Sequence, residues 1–518
     1  MLLGDYMGKS NNNEGNKLTE KCLNKRLQDN INLIKSIFTK DDTLIVREFN
    51  SEYQGSIMCA VIYIDSMVNT QVVNENIIQA IMCTTLKEYT INNLLKELQN
   101  KVIRSNEVIR SSDMNRITEA IIIGDTVFLL EGYNEALIIT SEGWQTRAIE
   151  EPSAEMVISG PREGFTESIM VNLTLIRRRL KTPDLKFEFK EIGERSKTKI
   201  CICYLQELAS PKIINELFER LASINIDGIL DSAYIEELVQ DSPYTPFRTI
   251  GSTERPDVVA AKLLEGRIAV FVDGTPFVLT LPFVFIEYFQ SNEDYYQNFL
   301  MGSINRIIRI IGILLTISVP AIYVSLVTYH QEMIPSQLLL SIAAARKDVP
   351  LPTIVEAIAM LFVFEVLRES GARMPTSMGQ AITIVGALVL GQAAVEARII
   401  SAPMVIVVAL TGITGLLIPK FKSASIIIRF IFLIMASILG LYGYIFGFMG
   451  LLLMLFSMRS FGVPYMLTLN SLDPQEVKDT IIRAPWWYMH YRPHIIGAKN
   501  QFRLKSQNRR QNNGKNKV

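Results

Sequence analysis

Histidines and cysteines with metal-site spacing are scarce in this sequence. It has three histidines among 518 residues, and its five cysteines lack the spacing of a zinc site (Cys22, Cys59, Cys83, Cys201 and Cys203). It contains no Gly-rich phosphate loop ending in Lys-Ser or Lys-Thr, and no nucleophile elbow. Acid–base chemistry would have to rest on carboxylates, and no motif pairs them. The sequence therefore predicts a protein without enzymatic activity, metal or cofactor, and with reduced thiols.

Charge is absent from four long stretches of the C-terminal half. They are Ile310–Tyr329, Met374–Val395, Ile399–Pro419 and Phe430–Met458. A bilayer core of about 30 Å requires about 20 apolar residues in a helix. Buried helices of soluble proteins rarely stay free of charge for so long, one after another. The pattern predicts an all-α polytopic transmembrane domain over residues 301–460.

The positions of the flanking cations predict whether the number of crossings is even or odd. Arg306 and Arg309 precede the first stretch, and a basic tail, residues 461–518, follows the last one; from Thr480 it holds nine Lys or Arg and no acid. Both features are typical of the cytoplasmic side, and a basic tail beside a bilayer is expected to contact lipid rather than nucleic acid. An even number of spans satisfies this: six at about 307–329, 352–368, 376–397, 399–418, 425–441 and 443–459, or four if one segment is re-entrant.

The N-terminal half mixes strand and helix patterns. Residues 1–20 are polar and Asn-rich, without a signal peptide, so we expect a disordered N-terminus on the cytoplasmic side. Residues 21–150 and 151–300 alternate strand-like and helical patterns, with a short linker around 150–152. The predicted fold class is an α/β cytoplasmic region of two small subdomains, followed by the all-α polytopic transmembrane domain.

A run of three arginines, Arg177, Arg178 and Arg179, ends a predicted helix over Phe165–Leu180. Cations in the final turn of a helix interact favourably with its macrodipole. The same run is also suited to docking on an acidic surface of a partner. The sequence leaves both interpretations open.

Ionisable residues inside the apolar block are the strongest functional candidates, because such groups are costly at membrane depth. On a helix over Leu351–Leu367, one face carries Glu356, Met360, Val363 and Leu367. An acid near one end and apolar side chains along the face are suited to a cation pore that gates by dewetting. The alternative is that Glu356 lies at the interface and the apolar residues pack on neighbouring helices.

The other charges of this helix are predicted to form two ion pairs at helical spacing. Glu365 lies on the opposite side from Glu356, three residues before Arg368. Glu369 and Arg373 are four apart and form the second pair. The predicted intramembrane ion-pair residues are thus Glu365, Arg368, Glu369 and Arg373.

Several stretches of this sequence match one known family in the same order along the chain. They are GPREGFTES and NLTLIRRRL within 160–180, TERPDVVAAKLLEGRIAVFVDGTPFVL at 253–279, EDYY at 293–296, FEVLRESGARMP at 364–375, GQAITIVGALVLGQAAVEA at 379–397 and FGVPY at 461–465. On these residues the chain resembles the A subunits of the bacterial spore germinant receptors, the GerA type. Arg398 and Thr376-Ser377 depart from the family pattern, which affects local loop charge only.

This resemblance implies a role and partners that the residues alone do not give. It implies residence in the spore inner membrane with both termini cytoplasmic, a transporter-like B subunit that holds the nutrient, and a lipoprotein C subunit. It further implies assembly into a homo-oligomeric ring, a pentamer, that acts as a nutrient-gated ion channel and releases monovalent cations at germination. The alternatives are a secondary transporter, a non-conducting scaffold, or a relative of the stage V sporulation AF-type proteins.

Overall fold

The computed structural model describes most of the chain between residues 23 and 503. The described residues are 23–51, 57–83, 94–105, 107–143, 155, 157, 159–373, 386, 389–466, 479–489, 491–492, 500 and 502–503. The N-terminal residues 1–20, the linker at 150–152 and most of the third predicted span, 376–397, lie outside them.

The first part of the chain forms a five-stranded antiparallel sheet covered on both faces. The strand order is β1-β2-β4-β5-β3, and the strands are β1 Leu44–Ser51, β2 Ile57–Ile64, β3 Val108–Ser111, β4 Thr126–Leu130 and β5 Ala136–Ile139. Helices α1 (Leu27–Ile37) and α2 (Met114–Ile123) pack on one face, and the helical segments Val72–Cys83 and Leu94–Val102 pack on the other. Both faces are therefore buried, which fits the continuous apolar run of β2.

The second part repeats this arrangement with the same strand order. Its sheet has the order β6-β7-β9-β10-β8, and the strands are β6 Leu185–Ile192, β7 Thr198–Leu205, β8 Gly251–Thr253, β9 Ile268–Val272 and β10 Val278–Leu281. Helices α3 (Ile169–Arg179) and α6 (Pro256–Leu264) cover one face, and α4 (Pro211–Ala222) and α5 (Ser232–Val239) cover the other. These two sheets confirm the α/β part of the predicted fold class.

The two cysteines of β7 lie in this second core. Cys201 and Cys203 have no solvent exposure, and burial raises the pKa of both thiols well above its ordinary value. A protonated, buried thiol is unreactive, so both residues serve packing.

The remainder of the described chain is helical. The helices are α7 Phe299–Thr328, α8 Ser336–Arg346, α9 Thr353–Ala372, α10 Ala402–Gly415, α11 Lys422–Leu439 and α12 Leu441–Ser457, with a further helical stretch at 389–396. Phe299–Thr328 and Pro419–Leu439 are the two helices in the described part that are long and apolar enough to cross a membrane, and α10 and α12 are shorter apolar helices. The number of spans and the domain boundaries stay predictions.

One local detail of the helical block follows directly from sequence. The apolar run from Phe430 to Met458 breaks at Gly440, whose φ of 61° and ψ of −141° lie where a side chain would be strained. A Cβ at this position would also lie 2.9 Å from Nε2 of His330. The run therefore forms two antiparallel helices, α11 and α12, in place of one long helix.

After α12 the chain returns to the second sheet. A short pair of strands, β11 Arg459–Ser460 and β12 Val463–Pro464, is held there by side-chain contacts. The hydroxyl of Ser460 donates to the carbonyl of Thr249 at 2.6 Å, and Asp241 accepts from the amide of Phe461 at 2.7 Å. The chain enters and leaves the helical block on the same side.

Asp125 generates a prediction about stability and pH. Burial, together with the charge of Glu142, raises its pKa from 3.8 to about 6, and its Oδ1 atom is buried without a hydrogen-bond partner among the described residues. Because the folded pKa exceeds the unfolded one, this group weakens folding progressively as pH rises from about 4 to about 6, and fully above that. We expect Asp125→Asn to raise the Tm of the detergent-purified protein at pH 7.5, with a gain that shrinks as pH falls toward 4.5.

Thermal unfolding of the variant at several pH values tests this expectation. Glu119→Gln is the matched control, because Glu119 is an exposed acid on α2 of the same subdomain. A gain in Tm that does not depend on pH would contradict the assignment to Asp125 ionisation.

Candidate functional site

Helix α9 carries the residues predicted to line a pore, and the structure places half of them inside the chain. It begins after Pro352 and ends before Arg373. Glu356 and Met360 are buried, whereas Val363 and Leu367 are half-buried. Met360 packs with Met404, Val408 and Leu433 of neighbouring helices. The part of this face around Met360 therefore contacts other helices of the same chain. The pore-lining role of the four residues stays a prediction.

Glu356 is held by the start of the next long helix. Its Oε2 atom accepts from the amide of Ser401 at 3.0 Å and from its hydroxyl at 2.7 Å, and Ser401 is the N-cap of α10. Arg346 at the end of α8 lies 3.4 Å from the other carboxylate oxygen. A carboxylate at a helix N-terminus is stabilised by unpaired amides and by the helix dipole. Glu356 therefore connects three helices, and Ser401 and Arg346 are partners that sequence reasoning missed.

The open face of α9 is a different one. Val355, Ile358, Phe362 and Val366 are 42, 38, 63 and 47% exposed. At 100° per residue this stripe lies roughly a third of a turn from the predicted pore face. In the single chain, α9 thus presents an uncovered apolar stripe beside a face that packs inward.

The residues of each predicted ion pair of α9 contact each other, and a third residue joins one of the pairs. Arg368 contacts Glu365 on the same helix, and the exposed pair of Arg373 and Glu369 is separated by 2.8 Å. Arg429 of α11 is 1% exposed, and its Nη2 atom lies 2.6 Å from Glu365. Sequence reasoning missed Arg429, although it is the one charged residue within the predicted span 425–441.

Of the three arginines predicted to dock a partner, Arg177 is buried between the two sheets. Its Nη2 atom donates to Asp41 at 2.7 Å and to the hydroxyl of Thr43 at 3.0 Å, and the guanidinium stacks 4.7 Å from the centroid of Phe187. Asp41 and Thr43 precede β1, so this contact joins the first subdomain to the second. Arg177 is therefore a structural link within the chain.

Arg178 and Arg179 lie nearer the surface. Both pair with Glu163, at 3.5 and 2.5 Å, and their side chains are 36 and 24% exposed. Docking through the arginine run stays a prediction, and the structure leaves these two side chains as the accessible part of it.

A second buried arginine, Arg306, joins the second subdomain to the helical block. It is wholly buried near the start of α7, 3.2 Å from Asp294 and 2.8 Å from Asp479. Asp479 also accepts from the hydroxyl of Tyr295 at 2.6 Å, and Arg309 binds Asp294 at 2.7 Å. The cluster ties α7 to the turn before it and to the segment after α12.

Burial dominates the electrostatics of this junction. Burial raises the pKa of Asp479 and, with the charge of Asp479, raises the pKa of Tyr295 well above its ordinary value. An arginine guanidinium keeps its charge when it is buried, and Arg306 lies between Asp294 and Asp479. The guanidinium therefore stays charged, and two carboxylates compensate it.

Metal chemistry has no assembled site in the part of the chain that the structure describes. There, no three residues of the types His, Cys, Asp or Glu are arranged to hold an ion. The charged clusters instead combine arginines with carboxylates, which fix the geometry of helices and sheets.

The arginine run gives a prediction that separates its members. Arg177→Ala leaves the buried carboxylate of Asp41 without its cationic partner, and breaking such a pair costs about 3–5 kcal/mol. The exposed pair of Arg178 contributes at most about 1 kcal/mol. We expect a marked loss of Tm for Arg177→Ala and little change for Arg178→Ala, measured on the same detergent-purified protein. Equal effects would contradict the structural role of Arg177.

Comparison with known proteins identifies the family. The sequence model described as "Bacillus/Clostridium GerA spore germination protein" matches residues 32–495. Spore germination protein KA of Bacillus subtilis is 41% identical over 481 residues, which cover 92% of this chain and 88% of that protein. Spore germination protein GerLA of Bacillus cereus is 37% identical over 445 residues, covering 85 and 90% of the two chains.

A solved structure is also similar. The crystal structure of the N-terminal domain of the A subunit of the Bacillus megaterium spore germinant receptor GerK3 is 34% identical, and the match covers 51% of this chain and 98% of that one with a TM-score of 0.41. The family match over most of the chain and the sequence identities to members of the family establish which family this chain belongs to. The chain belongs to the GerA family, the A subunits of spore germinant receptors.

Proposed function

We propose that this chain is the channel-forming A subunit of a spore germinant receptor. Family membership supports a role in spore germination. In the proposed mechanism the chain lies in the spore inner membrane, assembles with a transporter-like B subunit and a lipoprotein C subunit, and forms a homo-oligomeric ring. Nutrient recognition opens this ring and releases monovalent cations.

The observation that carries the membrane part of this proposal is the uncovered apolar surface of the helical block. On α11 alone, Ile427, Ile431, Ile434 and Ile438 recur every three or four residues and are 48 to 66% exposed. Similar exposed residues occur on the other long helices: Ile304, Ile308 and Ile311 on α7, Ile406 and Ile413 on α10, and Phe446, Met449 and Leu453 on α12. Soluble monomers rarely expose apolar patches of this extent, whereas lipid or further copies of the chain would cover them.

The path of the chain supports a common side for the N-terminal half and the tail. The second sheet binds β11 through Thr249 and Ser460, and Arg306 binds Asp479 beyond α12. Trp486 and Trp487 are about half exposed at the same junction, where indole rings favour lipid headgroups. If the helical block spans the membrane, these contacts favour one common face for both parts, which is the cytoplasmic face in the proposed topology.

A non-conducting scaffold is the second candidate, and one observation favours it. Glu356 and Met360 are buried against helices of the same chain, so the predicted pore face is not free along its whole length. In that case the open stripe of α9 would contact lipid or a neighbouring subunit without lining a pore.

Cysteine accessibility in a conducting complex distinguishes these possibilities. Single cysteines at Val363 or Leu367 test the predicted face, and single cysteines at Phe362 or Val366 test the open stripe. Ile434 on α11 is the matched control, an equally apolar and half-exposed position away from α9. Cys22 and the exposed Cys83 are first replaced by serine, so that these two native thiols do not react with the reagent.

We expect a cationic methanethiosulfonate reagent to block nutrient-evoked current at one of the two faces and not at Ile434. Charge placed in a pore opposes passage of cations, whereas charge facing lipid does not. Intact current with no block at any of the four positions would exclude α9 as the pore helix. An assembled complex that passes no current would favour the scaffold.

A further inference from the structure

The charged cluster of α9 and α11 holds more positive than negative charge. It consists of Glu365, Arg368 and Arg429, two guanidinium groups against one carboxylate, with side chains 17, 11 and 1% exposed. The Nε atoms of Arg368 and Arg429 are both buried and have no hydrogen-bond partner among the described residues. Buried charges are normally paired, and an unpaired N–H donor in an apolar setting is costly. None of the described residues therefore supplies the acceptors that these two Nε atoms lack.

The cluster lies on the side of the helical block that faces the second sheet. Lys420, just before α11, binds Glu155 at 2.5 Å, and Arg429 lies seven residues, about 10 Å, beyond Lys422. Leu361 packs near Leu433, one turn further along α11 than Arg429, so α9 runs toward the sheet as it ends. Arg368 is four residues, about 6 Å, from that end. A long arginine side chain spans such a distance to the headgroup region.

An apolar stripe leads away from the cluster along α9. Val366, Phe362 and Ile358 follow one another toward the opposite side of the block and are 47, 63 and 38% exposed. One end of this surface thus offers arginine donors, and the rest offers uncovered hydrocarbon. An anionic group attached to an acyl chain matches both parts, whereas a free inorganic anion matches only the first.

We propose that Arg368 and Arg429 form a binding site for the headgroup phosphate of an anionic phospholipid from the cytoplasmic leaflet. The phosphate supplies the acceptors that the two Nε atoms lack, and it compensates the excess positive charge. An acyl chain lies on Val366, Phe362 and Ile358. The lipid thereby fixes the contact between α9 and α11. This site rests on the proposed membrane location of the helices and does not require conduction.

Native mass spectrometry of the detergent-purified full chain tests the site. The protein is mixed with vesicles of dioleoylphosphatidylglycerol or of dioleoylphosphatidylcholine. The number of lipid molecules that stay bound to each chain is then measured. We expect selective retention of phosphatidylglycerol, and a roughly tenfold loss of that retention in Arg368→Gln, since a charge-assisted hydrogen bond is lost. Glu365→Gln is expected to retain at least as much, because it removes the competing negative charge.

Arg373→Gln is the matched control. This variant removes the same positive charge five residues further along the chain. The side chain of Arg373 is 79% exposed and binds only Glu369 among the described residues. Equal losses in Arg368→Gln and Arg373→Gln, or equal retention of the two lipids by the wild-type chain, would overturn the site. Displacement of the lipid by millimolar inorganic phosphate would replace it by a free-anion site. A chain that stays in solution without detergent would contradict the membrane location itself.

Discussion

The guanidinium of Arg306 is the contact on which the arrangement of the whole chain depends. It has no exposure to solvent, and its two carboxylate partners come from the turn before α7 and from the segment after α12. A buried ion pair adds little stability relative to apolar packing, but breaking it leaves a charge without compensation. Arg306 therefore fixes geometry: the helical block keeps one orientation against the second sheet as long as Asp294 and Asp479 stay in place.

Buried arginine–carboxylate contacts also connect the other structural units of the molecule. Among the described residues, Arg177, Arg306 and Arg429 are the three largest fully buried side chains, and each binds an acid from another part of the chain. They join sheet to sheet, sheet to helical block, and helix to helix in that order. The planar guanidinium is suited to this task because it stays charged when buried and donates in fixed directions. Apolar cores hold each unit together, and one apolar cluster, with Phe247, Ile313 and Phe421, also lies between the second sheet and the helical block. The arginines add contacts of fixed direction between the units.

Local pattern predicted the units, and it could not predict these joints. The two α/β sheets, the break at Gly440 and the pair of Glu365 with Arg368 follow from periodicity, glycine conformation and helical spacing. The acid bound by Arg177 lies 136 residues away, and the backbone carbonyl and acid bound by Arg306 lie 173 residues away. Such pairs depend on tertiary topology, for which one sequence carries no periodic signal. Ser401 escaped prediction for the same reason, because its role arises only when α10 begins beside Glu356.

Helix α9 is constrained at two points, and this limits how it can move in the proposed channel. Glu356 is bound to the start of α10, and Glu365 is bound to Arg429 of α11, nine residues or about 13 Å further along. A rotation of α9 that turned Val363 away from its neighbours would break both contacts at once. A smaller movement is less costly, because Glu365 already shares its carboxylate between Arg429 and Arg368 of its own helix. Exchange between these two arginines would keep the acid paired if α9 shifted against α11. In the proposed channel, the end of α9 near Arg368 is therefore freer to move than the end held by Glu356 and Ser401, unless a bound lipid holds it.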